Sequence, residues 1–254
     1  MAGQAFMKLK VSLNRTGQSP KPGLKKRAFR WLWRCLLLAF VLVLGIQLWF
    51  FAHILYWRDN NPSETRFMRL AQAELQARNP QAKLTHTWTP YERISIHLKR
   101  AVVAAEDGHF LEHDGFDWDG IQHALEKNLA RGQARAGGST ITQQLAKNLF
   151  LSPSRSYLRK SQEAIIAMMI EMLWGKRRIL EVYLNVAQWG DSIFGAEAAA
   201  RHYYRIPAAR LGPAESARLA VMLPNPRRYG HVFGPVQQAR AQRILSYMGS
   251  AQVP

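Results

Sequence analysis

Acidic residues and cysteine are scarce in this sequence of 254 residues. It has 17 Asp and Glu against 35 Lys and Arg, which gives a formal net charge of +18. Cys35 is the single cysteine, so an intramolecular disulfide is excluded and cysteine gives no indication of the compartment. A hydrophobic content of 48% excludes an intrinsically disordered chain. The basic excess leaves three candidate partners, namely nucleic acid, an anionic membrane surface and a phosphorylated substrate.

The N-terminal segment lacks acids altogether. Residues 1–34 carry nine Lys and Arg and no Asp or Glu, and residues 35–56 are almost continuously apolar. As a helix, that apolar stretch would extend over about 33 Å, enough to cross a bilayer. The sequence after Tyr56 has no small-residue cleavage site, which argues against a signal peptide. We therefore predict a basic cytoplasmic tail (1–34), one transmembrane helix (35–56) and an extracytoplasmic domain (57–254).

The same charge asymmetry predicts the orientation in the membrane. Positive residues collect on the cytoplasmic side of a membrane helix, so the N-terminus is expected in the cytoplasm and the domain in the periplasm, outside the inner membrane. Nucleic acid is absent there and is excluded as a partner. Residues 35–254 keep 26 Lys and Arg against 17 acids, a charge of +9, which fits a membrane surface or a phosphate-bearing substrate.

The extracytoplasmic part is predicted to be mainly α-helical, because its sequence contains no run of alternating strands and no internal repeat. The stretch 126–136 is polar, basic and interrupted by a glycine, which predicts a mobile loop or a fraying helix end. Apolar periodicity and capping residues predict helices over residues 61–78, 95–106, 140–151 and 157–175, and four more beyond residue 176.

Six of the 17 acids lie within residues 106–119, a concentration that a metal site or a catalytic carboxylate would explain. The segment "HFLEH", from His109 to His113, matches the zinc-protease pattern H-x-x-E-H. Zinc binding needs both histidines on one helix face and a third ligand, whereas Gly108 and the following "HDGFD" predict a helix end. For His113 we favour a core histidine that hydrogen-bonds to the backbone.

A catalytic carboxylate needs a chemical partner, and "GGSTITQQLAKNLF" offers one. Thr140 and Gln143 have capping-box spacing, and a glycine-led helix N-terminus presents N–H groups to an anion. Four basic residues follow in this helix and beyond it: Lys147, Arg155, Arg159 and Lys160. By itself this arrangement is equally typical of an ordinary helix start with a solvated charged face.

Glu163 begins the most apolar part of the domain, with Arg159 and Lys160 one turn before it. A partly buried carboxylate beside two cations is either a structural ion pair or a functional group with a tuned pKa. The residues alone leave both interpretations open.

Five motifs in this order resemble a known family: "EDGHFLEHDGFD", "GGSTITQQLAKNLF", "RKSQE", "KRRILEVYLN" and "ARLAVMLPNP". They are similar to those of the monofunctional biosynthetic peptidoglycan glycosyltransferases, or transglycosylases, over about residues 60–245. The resemblance implies a mainly α, lysozyme-like helical catalytic domain with a membrane-facing jaw, preceded by one transmembrane helix. One departure is Ile96, where members of the family often have proline.

The resemblance also implies roles for individual residues. Glu106 resembles the catalytic base, and Glu163 the second essential carboxylate. Pyrophosphate-binding positions correspond to Lys147 and Arg155. Donor-site contacts correspond to Ser139, Gln144, Arg159 and Lys160, and supporting positions to Asp107, His113 and Asn185.

The implied reaction polymerises lipid II into β-1,4-linked glycan strands with inversion and release of undecaprenyl pyrophosphate. A sugar hydroxyl is a poor nucleophile and needs a base, whereas the diphosphate leaving group needs charge stabilisation rather than an acid. The implied partners are lipid II, the growing lipid-linked glycan chain, the membrane, and proteins of cell-wall synthesis or division. No cofactor is firmly implied, and a divalent cation, Mg²⁺ or Mn²⁺, is the candidate metal.

Two other functions compete with polymerisation. A non-catalytic anchored scaffold that binds glycan or lipid II would keep the cations without needing Glu106. A lysozyme-like cleaving enzyme would need a carboxylic acid that stays protonated near neutral pH, and would not need cations for a pyrophosphate.

Overall fold

The computed structural model describes residues 24–131, 138–154 and 156–254, and these are mainly α-helical, as predicted. Two short strands, β1 (Thr85–His86) and β2 (Ile193–Phe194), pair in parallel with Thr85 opposite Ile193. The helices are α1 (Leu24–Asp59), α2 (Arg66–Arg78), α3 (Ile96–Glu106), α4 (Trp118–Arg131), α5 (Ile141–Phe150), α6 (Tyr157–Leu173), α7 (Lys176–Val186), α8 (Ala196–Tyr204), α9 (Pro213–Met222), α10 (Pro226–His231) and α11 (Pro235–Tyr247).

The chain divides into two compact units, Met1–Gln47 and Leu48–Pro254. The first unit, described from Leu24 onward, is the earlier part of α1, and its apolar side chains are exposed; Leu42, for example, is 65% exposed. Among the described residues, one helix, Arg27–Asp59, is long and apolar enough to cross a membrane, with a mean hydropathy of 2.5 in its most apolar window. An exposed apolar helix of this length is typical of a membrane anchor.

The last turns of α1 belong to the second unit. Phe50 and Ile54 are buried there, and the indole N–H of Trp174 donates to the Ile54 carbonyl at 2.8 Å. The apolar part of α1 before residue 48, residues 35–47, extends over only about 20 Å as a helix, so the predicted span 35–56 includes residues that belong to the second unit. The membrane limits of the segment 35–56 stay a prediction.

The core of the second unit joins two groups of helices. One group packs α3 against α9 and α11, and the other packs α5 against α6 and α7. Each contributes fully buried side chains, such as Leu98 and Val102 from α3 and Leu145 and Ile170 from the second group. The C-terminal end of α3 meets the N-terminal end of α5 where the two groups join.

One helix limit differs from the predicted one. Helix α2 begins at Arg66 rather than near Asn61, because the side chain of Thr65 caps it by accepting from the Met68 N–H at 3.1 Å. Helix α4, which the sequence analysis did not predict, ends at Arg131 within the stretch 126–136, for which a mobile loop or a fraying helix end is predicted. Residues 132–137 lie outside the described part of the chain.

Within the second unit, Arg178 of α7 binds the last turn of α1. Its guanidinium donates to the carbonyls of Trp57 at 2.9 Å and Asn60 at 2.6 Å, and to the Glu181 carboxylate at 2.8 Å. The last carbonyls of a helix have no hydrogen-bond donors within the helix. A cation that donates to them therefore stabilises the helix end.

We predict that Arg178→Gln lowers the free energy of unfolding by about 2 kcal/mol, because several charge-assisted hydrogen bonds are lost in a mostly buried setting. For a domain of this size, the thermal midpoint should fall by roughly 4–8 °C in a detergent-solubilised melting experiment. The matched control is Arg177→Gln, whose ion pair with Glu92 is more than half exposed on both sides and contributes little. Equal melting temperatures for the two variants would contradict this role.

Candidate active site

Glu106 is the last residue of α3, and its carboxylate lines a cavity of about 170 Å³. One oxygen, Oε2, accepts from the side-chain amide of Gln144 at 2.9 Å. The other oxygen, Oε1, is buried and has no hydrogen-bond partner among the described residues. The carboxylate is therefore held at one oxygen while the other remains able to accept a proton. The cavity is also lined by Asp107, Asp117, Gly138, Ser139 and Thr140.

Burial raises the pKa of the Glu106 carboxyl above its ordinary value, because desolvation disfavours the charged form. The Gln144 hydrogen bond and the positive charges of Arg240 and Lys147 oppose this rise, and the neighbouring charge of Asp107 adds to it. A raised pKa makes the carboxylate a stronger proton acceptor, as a general base near neutral pH requires.

Asp107, the residue after Glu106, joins α3 to α5. Its Oδ2 accepts from the Ile141 backbone N–H at 2.9 Å, and its Oδ1 lies 2.8 Å from Nε2 of His113. The Gly115 N–H donates to Nδ1 of His113 at 3.1 Å, so the ring has its proton on Nε2 and donates it to Asp107. The sequence interpretation of His113 as a buried, hydrogen-bonded histidine agrees with this geometry, although its main partner is a carboxylate rather than backbone.

The predicted capping box at the start of α5 is confirmed. Oγ1 of Thr140 accepts from the Gln143 N–H at 3.2 Å, and the Gln143 side chain reaches back to the Thr140 N–H. The expectation that this N-terminus offers free N–H groups to an external anion needs correction. The Ile141 N–H already donates to Asp107, so at this position a carboxylate of the protein takes the place of an external anion.

The cations on α6 gather around Glu163, which is 3% exposed. Lys160 Nζ lies 2.5 Å from Glu163 Oε1 and 3.2 Å from Ser139 Oγ, and Arg159 forms an ion pair with the other carboxylate oxygen. The structure thus brings Ser139, Arg159, Lys160 and Glu163 together at the start of α5, and Glu163 holds the two cations in place.

Lys147 lies on α5 between the two carboxylates. Burial lowers the pKa of its amine, the charges of Glu163 and Glu106 raise it, and the cations of Arg159 and Lys160 lower it further. Its ammonium lies 5.7 Å from the centre of the Phe67 ring. Arg155, the other predicted pyrophosphate ligand, lies outside the described residues.

Asn185, the remaining predicted supporting residue, is not part of this cavity. It is fully buried on α7, where its amide exchanges hydrogen bonds with the backbone of Thr89, at 2.8 Å to the N–H and 2.9 Å to the carbonyl. It holds the segment before α3 against α7 and so supports the fold away from the Glu106 cavity.

The histidines of the "HFLEH" pattern do not converge. His109 Nδ1 lies 3.3 Å from Asp117, whereas His113 contacts Asp107. Within the described residues, no three His, Cys, Asp or Glu side chains come together in a way that could hold a metal ion. The described side chains therefore provide no preformed ligand set for zinc or for the Mg²⁺ or Mn²⁺ ion that the resemblance suggests.

Two residues that the sequence interpretation did not single out act on this site. Tyr183 of α7 donates its hydroxyl to Gln144 Oε1 at 2.9 Å, and the charge of Arg240 of α11 lowers the pKa of Glu106. Tyr183 lies in the quoted motif "KRRILEVYLN" and could have been marked there. Arg240 is distant in sequence and reaches the site only through the packing of α11 on α3.

Comparisons with known proteins give one consistent result. The sequence profile of a family described as Transglycosylase matches residues 72–249. A biosynthetic peptidoglycan transglycosylase of Azoarcus sp. (strain BH72) is 66% identical over 229 residues, which cover 90% of this chain and 99% of that protein. Proteins of the same name from Aromatoleum aromaticum and Dechloromonas aromatica are 63% and 57% identical, over 90% and 89% of this chain and 100% and 98% of their own.

We predict that Glu163→Gln lowers the pKa of Lys147, because it removes a negative charge and leaves the cations of Arg159 and Lys160 uncompensated. Competitive acylation of the amine across a pH series, read by mass spectrometry, should place the midpoint for Lys147 at lower pH than in the unmodified protein. Glu197→Gln is the control, because Glu197 forms a comparable ion pair with Arg201 elsewhere. An unchanged Lys147 midpoint in Glu163→Gln would contradict the prediction.

Proposed function

Because this chain belongs to the transglycosylase family, we propose that it polymerises lipid II into β-1,4-linked glycan strands and releases undecaprenyl pyrophosphate. The chain is a peptidoglycan glycosyltransferase, and its substrate is a lipid-linked glycan at the membrane. The observation that carries the detailed proposal is the Glu106 carboxylate, which is held by Gln144 at one oxygen and lacks a described partner at the other.

Glu106 acts as the general base in this mechanism. Its unpartnered oxygen takes the proton from the 4-hydroxyl of the acceptor sugar as the hydroxyl oxygen attacks the anomeric carbon of the donor. The bond between that carbon and the pyrophosphate breaks on the opposite face, so the α-linked donor gives a β-linked product. The proton then leaves Glu106 for solvent, which restores the carboxylate for the next addition.

The leaving pyrophosphate carries away the electron pair and gains negative charge. Lys147 and Arg155 neutralise that charge, and the contacts to the donor come from Ser139, Gln144, Arg159 and Lys160. Glu163 supports this role because its buried carboxylate keeps two cations in place and raises the pKa of Lys147, which favours the charged amine. Cations that are already oriented stabilise the transition state without being reorganised.

The proposal extends to topology and partners. The nine positive charges within residues 1–34 support a cytoplasmic N-terminus, a single membrane crossing and a catalytic domain in the periplasm. Both the donor and the growing chain are lipid-linked, so an enzyme anchored by α1 works at the surface where its substrates lie. Proteins of cell-wall synthesis or division are the expected partners at that surface.

We predict that Glu106→Gln abolishes polymerisation, with a loss of at least about 10²-fold in rate, because the amide cannot accept the proton. Purified protein in detergent with lipid II should yield a polymer that lysozyme digests, and the variant should yield none while keeping its melting temperature. Glu112→Gln, which changes an exposed acid of the same segment, should retain activity. Full polymerisation by Glu106→Gln would remove the residue from the role of base and favour a different function for the cavity.

We predict that Lys147→Ala reduces the rate of lipid II consumption by on the order of 10²-fold, because a charge that faces the leaving pyrophosphate is lost. The measurement is the initial rate of undecaprenyl pyrophosphate release at saturating lipid II. The exposed residue Lys83 provides the control Lys83→Ala, which tests for a general effect of lost positive charge. Near-normal kinetics in Lys147→Ala would exclude Lys147 from the pyrophosphate site.

A further inference from the structure

A chain of two hydrogen bonds leads from the buried interior to the Glu106 carboxylate. Tyr183 on α7 donates its hydroxyl to Gln144 Oε1 at 2.9 Å, and Gln144 on α5 donates its amide to Glu106 Oε2 at 2.9 Å. Tyr183 is 1% exposed and does not line the cavity that Glu106 lines. The hydrogen-bonded link from its hydroxyl to Glu106 therefore runs through Gln144.

We propose that Tyr183 is a positioning residue for the reaction, whose hydroxyl fixes the Gln144 amide with its N–H₂ group facing the Glu106 carboxylate. This inference rests on the proposed function, because it assumes that Glu106 must be deprotonated to act.

The physical basis is that a glutamine amide has an acceptor on one side and a donor on the other. If the Gln144 amide were turned over, its oxygen would face the ionised Glu106 carboxylate, and two acceptors would oppose each other. The Tyr183 O–H would also lose the one hydrogen-bond acceptor described for it, in a site without access to water. An unsatisfied buried donor is costly, so the phenol holds the amide in the orientation that suits the carboxylate.

The turned-over orientation suits a protonated Glu106 instead, because a carboxylic acid O–H could donate to the amide oxygen. By opposing that orientation, Tyr183 favours the state in which Glu106 is ready to accept a proton. The phenol itself stays neutral in this role, since burial and the charges of Glu106 and Asp107 raise its pKa well above the ordinary value. The other charged groups that face Glu106 are Asp107 at the end of α3, Lys147 on α5 and Arg240 on α11.

The test is Tyr183→Phe, which keeps the buried ring and removes only the hydroxyl. Loss of an oriented hydrogen bond to a carboxylate should raise the pKa of Glu106 by about one unit, equivalent to about a tenfold loss of rate on the acidic side. The acidic limb of the rate–pH profile should therefore shift to higher pH by the same amount. At high pH, where Glu106 is ionised in both proteins, the rates should converge.

The matched control is Tyr203→Phe. Tyr203 donates its hydroxyl to the Trp189 carbonyl at 2.7 Å, so the control also removes a hydroxyl that is hydrogen-bonded within the protein, with no described link to Glu106. It should leave the acidic limb where it is. A uniform loss of rate at every pH in Tyr183→Phe, with the acidic limb and the Glu106 pKa both unmoved, would overturn the inference in favour of a purely structural role.

A direct titration separates failure of this inference from failure of the proposed function. Glutamate labelled with ¹³C at the carboxyl carbon reports the pKa of Glu106, and Glu106→Gln identifies its signal by absence. If the Glu106 pKa is the same in Tyr183→Phe as in Tyr203→Phe, the positioning role is wrong whatever the kinetics are. If that pKa rises but the rate profile does not follow, the positioning role stands and the role of Glu106 as base is wrong.

Two further variants examine the route and the sign of the effect. In a Gln144→Met background, adding Tyr183→Phe should cause no further change in the Glu106 pKa, and an undiminished shift would overturn the route through the amide.

Replacing Tyr183 with 3-fluorotyrosine keeps the hydroxyl and makes it a stronger donor. Because linked hydrogen bonds strengthen one another, the Glu106 pKa should then fall, and a rise would contradict the inference.

Discussion

The two hydrogen bonds accepted by Asp107 are the constraint on which the rest of the site depends. The Asp107 side chain is only 1% exposed, and a buried carboxylate without partners would be strongly destabilising. One oxygen binds the first turn of α5 and the other binds His113, so the end of α3 is held against the start of α5. Glu106 precedes Asp107 and Gln144 follows Ile141 by three residues. A single carboxylate therefore holds Glu106 and Gln144 close enough to form their hydrogen bond.

The burial of Glu163 among cations in a strongly basic chain has an electrostatic explanation. In the proposed mechanism Lys147, Arg159 and Lys160 receive a diphosphate together, and the cations of Arg159 and Lys160 lower the pKa of Lys147. Buried Glu163 offsets that repulsion through two ion pairs within one helical turn. The interpretations left open by the sequence are therefore compatible: Glu163 forms a structural ion pair, and under the proposed function the same pair orients the cations that receive the diphosphate.

Local features of the site could be predicted from sequence, and features that depend on tertiary packing could not. The capping box of α5 and the pairing of Glu163 with Arg159 follow from residues three or four positions apart. The use of Asp107 as the acceptor for the α5 N-terminus depends on a contact across 34 positions.

The same distinction explains the residues whose placement was unexpected. Asn185 belongs to a quoted motif, yet it binds a backbone segment 96 positions away rather than the cavity. Arg240 acts on Glu106 from a different helix, and periodicity within a helix carries no information about which neighbour it packs against. Membership in a motif therefore does not by itself predict which residue or backbone segment a side chain contacts.

The last turns of α1 pack, within the second unit, on the helix that carries Lys147. Phe150, the last residue of α5, stacks on Trp57 at 5.2 Å between ring centres and contacts Phe50 edge-on at 5.1 Å. Lys147 lies one turn earlier on the same helix, so its distance from the last turns of α1 is set by side-chain packing rather than by a flexible linker. This packing within the second unit limits the positions that the Lys147 ammonium can adopt. In the proposed mechanism it reduces the conformational freedom that is lost when the substrate binds.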